Sequence, residues 1–468
     1  MGSMNFAFLL CILFIARTNA DVIEPYDVVI VILSQKEHYH TDLADYLQDR
    51  IYDQADALRK ESPRIVLSHQ LNIKGSWTIT PLLPYLSNNF PGAKWFFFCM
   101  ENIVIRLKKL LDVFEKFNAS ENVWIGNALF DQHPTIIHHF ARSNIYRYPN
   151  IVTGFGMTFK LLKSLSQQIS DNKGPKADFS IDAPYEFTRF VLKSTNVELT
   201  HVSEICIASV SHCATYPRFF DSCSSFISSR NVYFAVKTCA KYHVDRIPVI
   251  KNSWAKYKIH IGYFSDAADK NLREAYIVPN TTEGHCAKTY GILQRANIIM
   301  KKFKHDWLVI SDDDTLFNVA RLLHLLTCYN PKRLIAIGER YGFRMWDRHY
   351  GYEYLTGGAG IVLSAPLVRE MLRPDVCNCP SATTPDDMYL FGLCLSRLGV
   401  QPVHSLMFHQ ARPADYSVAY LVSQKPISFH KFWMVDPLKD IYDRWLAPKH
   451  KIVSNRIKPT YLAKHTEL

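Results

Sequence analysis

Runs of apolar residues rich in β-branched and aromatic side chains recur along the chain and predict buried strands. They occupy residues 28–33, 94–98, 232–236, 306–310 and 361–363. Amphipathic patterns after two of these runs predict helices at residues 104–117 and 316–329. Strands that alternate with helices predict an α/β fold with a mostly parallel sheet, which binds ligands at the carboxyl ends of its strands.

The chain carries an internal repeat that is long enough to be a whole domain. Shifting residues 94–98 by 212 positions superposes them on residues 306–310, and farther along a shift of 204 places residues 153–156 on 357–360. We therefore predict two tandem Rossmann-like α/β domains, at residues 21–215 and 230–460. A linker at residues 216–229, which contains Pro217 and a Ser/Cys-rich run, would join them.

Three acidic residues, Asp312, Asp313 and Asp314, follow the strand predicted at residues 306–310. Carboxylates at the end of a buried strand need a counter-charge, and a divalent cation such as Mn²⁺ or Mg²⁺ would supply it and could hold the diphosphate of a nucleotide. The alternative is an acidic turn that caps the following helix. The first copy of the repeat has Met100-Glu101-Asn102 at these positions.

Three further features of the second copy suggest chemistry. Glycines at residues 357–360 let the backbone approach a ligand closely, although a turn or bulge would also use them. Asp386 and Asp387 open a predicted helix, where one carboxylate can cap and the other is free to react. His430 lies among aromatic residues, where it is either structural or a metal ligand. The first copy has Asp182-Ala183 in place of the acidic pair.

Composition and the chain ends suggest a compartment. Residues 1–20 predict a signal peptide, and no later apolar run is long enough to span a membrane. Removing that segment leaves ten cysteines, an even number that suits disulfides. The final residues 465–468, within a tail at 461–468, are similar to endoplasmic-reticulum retrieval signals, so a retrieval receptor is a predicted partner. The net charge of +11 is scattered, which argues against a nucleic-acid partner.

Taken in order, the motifs of residues 230–435 resemble those of the Fringe-like β-1,3-glycosyltransferases. The motifs are residues 232–238, Arg246 with Trp254, 263–266, 311–314, 356–360, 385–387 and Phe429-His430. The resemblance implies a GT-A fold and an inverting transfer from a UDP-sugar. It also implies that Asp314 and His430, with Asp312, ligate Mn²⁺ and that Asp387 is the general base. The donor-site residues that it implies are Thr238, Arg246, Asp312, Asp313, Gly357 and Gly358.

Within this family, the doubled arrangement with a signal peptide and a retrieval-like tail is similar to members that transfer glucose from UDP-glucose to O-linked fucose on thrombospondin type 1 repeats. Residues 21–215 would then be a degenerate, non-catalytic GT-A-like domain that binds the acceptor or supports the second domain. One alternative is another lumenal UDP-sugar transferase, either Fringe-like or chondroitin-synthase-like. The other is a non-catalytic lectin or folding factor for fucosylated repeats.

Overall fold

A computed structural model describes residues 22–138, 146–218, 223, 227–346, 350–381 and 383–448. The predicted signal peptide, the retrieval-like tail and part of the predicted linker lie outside these residues. Tyr216 and Pro217, which we assigned to the linker, are instead the end of a strand.

Helices and strands alternate through the amino-terminal half of the chain. The strands are β1 (Val28–Ile32), β2 (Arg64–Leu67), β3 (Trp95–Cys99), β4 (Ile103–Ile105), β5 (Trp124–Gly126), β6 (Ala128–Leu129), β7 (Tyr148–Pro149), β8 (Phe155–Thr158), β9 (Phe179–Ser180), β10 (Thr200–His201) and β11 (Thr215–Pro217). The helices are α1 (His38–Ala57), α2 (Leu83–Asn89), α3 (Leu107–Phe114), α4 (Phe159–Ser170) and α5 (Ala183–Thr195).

The carboxyl-terminal half follows the same plan. Its strands are β12 (Val232–Lys237), β13 (His260–Ser265), β14 (Tyr276–Ile277), β15 (Trp307–Asp312), β16 (Thr315–Phe317), β17 (Ala336–Gly338), β18 (Arg340–Phe343), β19 (Tyr352–Leu355), β20 (Ile361–Ser364), β21 (Val403–His404) and β22 (Ser428–His430). Its helices are α6 (Ile247–Asn252), α7 (Cys286–Phe303), α8 (Val319–Leu326), α9 (Ala365–Met371), α10 (Asp386–Met388), α11 (Leu395–Arg397) and α12 (Val418–Val422), with π-helical segments Tyr389–Cys394 and Pro437–Leu446.

Each half contains one large sheet, and the two sheets share a strand order. The first runs β2-β1-β3-β8-β5-β10, and the second runs β14-β13-β12-β15-β20-β17-β21. The second sheet has the additional strand β14 at one edge. In each sheet one strand, β8 in the first and β20 in the second, is antiparallel to its neighbours, and the other pairings are parallel. The predicted α/β class with Rossmann-like parallel cores is confirmed. The division into two separate domains stays a prediction.

Both amphipathic helices begin later than the apolar pattern suggested. The apolar residues at the start of each pattern form the short strands β4 and β16, and the helices α3 and α8 begin at Leu107 and Val319. Each strand pairs with a distant strand, β4 with β11 and β16 with β22, so tertiary pairing overrides helical periodicity there. Within the described residues, no helix is both long and apolar enough to cross a membrane.

The two halves contact each other through backbone and side chains. Strand β9 of the first half pairs antiparallel with β18 of the second, extending the β18–β19 hairpin into a small sheet. Gln35 donates to the carbonyl of His404 at 2.9 Å and accepts from its N–H at 2.7 Å. Trp77 Nε1 donates to the Glu353 carboxylate at 3.0 Å. Backbone and side-chain hydrogen bonds therefore join the two halves.

Four disulfides lie within the described residues: Cys206–Cys213, Cys223–Cys328, Cys286–Cys379 and Cys377–Cys394. Cys377 and Cys379 are adjacent but one in sequence and are bonded to different partners. Together they attach the loop before Asp386 to the start of α7 and to the π-helical turn at Cys394. This loop leads into the acidic pair.

Candidate active site

The acidic group lies at the carboxyl end of the central strand of the second sheet. Strand β15 is buried from Trp307 to Ile310, with β12 on one side and β20 on the other, and it ends at Asp312. The chain then turns through Asp313 and Asp314 into β16. The alternative that these acids cap a helix is wrong, because β16 intervenes and α8 is capped by Asn318, whose side chain accepts from the N–H of Arg321.

Pairing of β16 with β22 brings His430 to this group. Thr315 lies opposite His430 in the antiparallel ladder, which sets the imidazole beside Asp314. Nε2 of His430 lies 3.0 Å from Asp314 Oδ1 and 3.6 Å from Asp312 Oδ2. Nδ1 lies 2.9 Å from the carbonyl oxygen of Gln410. A carbonyl can only accept, so Nδ1 carries a proton and Nε2 is left to face the carboxylates.

Asp312, Asp314 and His430 could hold a metal ion. One ligand atom from each lies within 4.8 Å of the others, and two carboxylate oxygens with an imidazole nitrogen suit Mn²⁺. Gly358 makes room for this arrangement, because a Cβ added there would overlap the His430 ring. The described residues contain one other candidate group, Cys206, His212 and Cys213, but its two cysteines are joined in a disulfide.

Asp313 lies in a buried hydrogen-bond network with Thr238 and Arg246. It accepts from Thr238 Oγ1 at 2.6 Å and from Arg246 Nη1 at 2.7 Å, and its residue is 3% exposed. Burial outweighs these contacts and raises the pKa of Asp313 to about 6. Arg246 also lies 3.0 Å from Asp314 and stacks on Tyr242. The structure thus places Thr238 and Arg246 beside the acidic group, where they position two of its members.

Lys237, which the sequence analysis did not select, connects the two acidic motifs. Its Nζ lies 3.0 Å from Asp312 Oδ1 and 2.9 Å from Asp386 Oδ2. Burial alone would lower the pKa of Lys237, but these two carboxylates outweigh it and raise the pKa. A lysine at the end of an otherwise apolar buried strand was the available sequence signal, since such a charge needs partners.

Asp387 lies near Gly357 of the glycine segment, whereas His430 lies next to Gly358. A Cβ built on Gly357 would be 4.0 Å from the Cβ of Asp387. Burial, with a further contribution from the charge of Asp386, raises the pKa of Asp387 to about 6. One of its oxygens accepts from the N–H of Met388 at 2.7 Å. A carboxylate with this environment is charged at neutral pH and remains basic enough to accept a proton.

The acidic pair is held by the start of α7. Asp386 N–H donates to the carbonyl of Gly284 at 2.7 Å, and Thr289 Oγ1 donates to the Asp386 carboxylate at 2.5 Å. The Cys286–Cys379 disulfide ties the same two segments covalently. The Asp386 carboxylate is therefore bonded to Lys237 and Thr289, whereas Asp387 lies beside the glycine segment.

The corresponding positions of the first half have different contacts. Glu101 pairs with the buried His40, which also bonds to Tyr329 of the second half at 3.0 Å. Asp182 caps α5 and lies 3.1 Å from His138. Ala183 stands where the second half has Asp387. In the described part of the first half, therefore, no cluster matches the one around Asp314.

Comparison with known proteins places the chain in a family. A family model described as Fringe-like matches residues 227–455. A β-1,3-glucosyltransferase of Homo sapiens is 40% identical over 430 residues, covering 90% of this chain and 85% of that protein. The chain belongs to the Fringe-like glycosyltransferase family. As a member of that family it is an enzyme that takes a sugar donor and an acceptor.

Other known proteins are less similar to this glycosyltransferase. The β-1,3-N-acetylglucosaminyltransferase manic fringe of Danio rerio is 27% identical over 203 residues, covering 38% of this chain and 55% of that protein. The solved apo structure of the bifunctional glycosyltransferase WbbM covers 89% of this chain and 96% of its own, with 9% identity and a TM-score of 0.29.

Proposed function

We propose that the protein is an inverting, Mn²⁺-dependent β-1,3-glucosyltransferase that moves glucose from UDP-glucose to O-linked fucose on thrombospondin type 1 repeats in the endoplasmic reticulum lumen. The observation that supports this reaction is the cluster of Asp312, Asp314 and His430 at a strand end. Lys237 connects this cluster to Asp386, which is adjacent in sequence to Asp387. Glucose as the sugar is supported by the name of a relative that is 40% identical over 90% of the chain. The fucosylated acceptor and the compartment rest on the resemblance stated above.

In this mechanism Asp387 accepts the proton of the acceptor hydroxyl as that oxygen attacks the anomeric carbon and the bond from that carbon to the diphosphate breaks. A metal ion held by Asp312, Asp314 and His430 would neutralise the charge of the departing diphosphate. Arg246 keeps Asp313 and Asp314 in place through contacts of 2.7 and 3.0 Å. Lys237 offsets the charges of Asp312 and Asp386, so that Asp387 is not surrounded by uncompensated carboxylates.

We propose that the first half performs no transfer and supports the acceptor side of the site. Strand β9 extends the β18–β19 hairpin, and Trp77 fixes Glu353 in that hairpin. The aromatic residues Tyr352 and Tyr354 of β19 lie close enough to Asp387 for its charge to raise the pKa of both hydroxyls beyond the effect of burial. Direct binding of the acceptor protein by the first half is a second role compatible with these contacts.

A donor screen tests the proposal. The full-length enzyme is incubated with Mn²⁺, each common UDP-sugar and a folded fucosylated repeat, and the product is measured by mass spectrometry. Addition of one hexose from UDP-glucose is expected. Transfer from a different UDP-sugar would identify another lumenal transferase, and no transfer or donor hydrolysis with any sugar would favour the lectin or folding-factor alternative.

A further inference from the structure

A pocket of about 100 Å³ lies between the two halves of the molecule. Leu33 and Met100, just after β1 and β3, line it from the first half, and Glu339 and His404, at the ends of β17 and β21, line it from the second. A water molecule needs roughly 10–15 Å³ by this measure, so the pocket has room for a small molecule. None of Asp312, Asp314, Asp387 and His430 lines it.

The pocket corresponds in position to the candidate active site of the second half. The repeat shifts place Met100 on Asp312 and Asp182 on Asp386, and both Met100 and Asp182 line the pocket. The carboxyl ends of strands in such a sheet are where ligands bind. The acids that would hold a metal and a diphosphate are absent at this place, so a nucleotide is not the expected ligand.

Aromatic and polar groups share the wall of this pocket. Trp77, Tyr148, Tyr416 and Tyr420 provide flat apolar surfaces with polar edges. Asp182 and Glu339 contribute carboxyl groups, and the charge of Asp182 is close enough to affect the pKa of Glu339. Burial, opposed in part by the Gln410 N–H and reinforced by Asp182, raises the pKa of Glu339 to about 8. Glu339 is therefore mostly uncharged at neutral pH and can both donate and accept.

Arg340 forms part of the same wall. Its side chain is about nine-tenths buried, stacks on Trp77 at 4.6 Å and lies 3.6 Å from Glu353. Its Nε is buried and has no hydrogen-bond partner among the described residues. Arg340 lines the pocket, so its terminal guanidinium N–H groups can donate to a ligand there.

We propose that this pocket binds a neutral monosaccharide unit, either a free hexose or one sugar of a glycan. Aromatic faces can stack on the apolar face of a sugar ring, while Glu339, Asp182 and Arg340 offer hydrogen bonds to its hydroxyls. Because both halves line the pocket, a bound sugar stabilises their contact.

The test measures binding to the full-length protein without nucleotide and with chelator. Probes are glucose, fucose, N-acetylglucosamine and the glucosyl-β-1,3-fucose disaccharide, followed by saturation-transfer NMR and by Tm. At least one probe is expected to bind and to raise Tm with concentration. Glu339→Met, which keeps the length of the side chain but removes both hydrogen-bonding oxygens, should weaken that binding by about tenfold, the scale of one lost hydrogen bond.

Two further variants separate this pocket from the active site. Ser417→Phe fills the pocket from its wall and should abolish sugar binding, whereas Asp314→Ala should leave it unchanged. Tighter binding of the disaccharide than of either free sugar would assign the pocket to a glycan chain, and equal binding would assign it to free hexose. Absence of binding by all four probes, or binding lost in Asp314→Ala and retained in both pocket variants, would overturn the proposal. These readouts do not depend on transfer activity.

Discussion

Thr315 lies directly opposite His430 in the antiparallel ladder of β16 and β22, and this pairing sets the His430 imidazole 3.0 Å from Asp314. The ladder therefore determines whether the acidic turn and the histidine form one site. Thr315 strengthens the arrangement by donating from its hydroxyl to the carbonyl of Gly358 at 2.8 Å. The glycine segment, the acids and the histidine are thus fixed to one another by two short strands.

The contact between Gly358 and His430 gives a matched pair of variants. Gly358→Ala should displace the imidazole, because the new Cβ would overlap its ring. We expect the Mn²⁺ concentration for half-maximal activity to rise by roughly 10–100-fold, the usual effect of disturbing the support of a metal ligand. Gly357→Ala is the control, since its Cβ would meet only Asp387, at 4.0 Å. Equal metal dependence of the two variants would contradict the assignment of His430.

Removal of the metal or of its carboxylate should stop transfer. Excess chelator is expected to abolish activity, and added Mn²⁺ should restore it. Asp314→Ala should lower the transfer activity by a factor of about 10² or more, while its circular dichroism spectrum remains that of the wild type. Full activity in chelator would show that the cluster of Asp312, Asp314 and His430 has a different role.

Asp387→Asn should preserve donor binding and lower kcat by roughly 10² or more, because the amide keeps the shape but cannot accept a proton. The base must be charged to act, and burial raises its pKa to about 6, so kcat/KM of the wild type should increase with pH through about 6 and then level off. A bound cation would shift this rise to lower pH. Normal turnover by Asp387→Asn, with Asp386→Asn inactive, would assign the base to the neighbouring residue instead.

Lys237→Met should leave Asp312 and Asp386 without their shared partner. Breaking a buried ion pair from one side costs about 3–5 kcal/mol, so we expect a loss of that size in the free energy of unfolding, measured in urea with chelator present. Lys251→Met is the control, because its pair with Glu274 is exposed and is expected to contribute about 0–1 kcal/mol. Similar losses in the two variants would mean that Lys237 is not needed to compensate the acids.

His138 in the first half should make stability depend on pH. It lies 2.5 Å from Asp131 and 3.1 Å from Asp182. Burial would lower its pKa, but these carboxylates outweigh it and raise the pKa of His138 to about 9. The protonated ring then contributes up to about 3 kcal/mol below pH 6.5, and this is lost as the pH rises through 9. His138→Gln should flatten the dependence of Tm on pH between pH 6.5 and 9. An unchanged pH dependence would show that the ring is not charged.

Local sequence pattern was sufficient for much of this protein. The apolar runs predicted β1, β3, β12, β15 and β20, because a strand buried on both faces must be apolar along its length. The repeat shifts anticipated that corresponding strands would occupy corresponding places in the two sheets. The acidic residues and the glycines could be selected because a carboxylate or a glycine at the end of a buried strand needs a local physical reason.

Other features depend on which distant segments meet, and local periodicity carries no information about that. The first residues of two apparent helices became β4 and β16 because partner strands more than 100 residues away supplied hydrogen bonds. Lys237 gained its role only when Asp312 and Asp386 converged on its ammonium group. The pocket around Glu339 and Arg340 likewise exists only because the two halves contact each other, which brings side chains from both halves around one cavity.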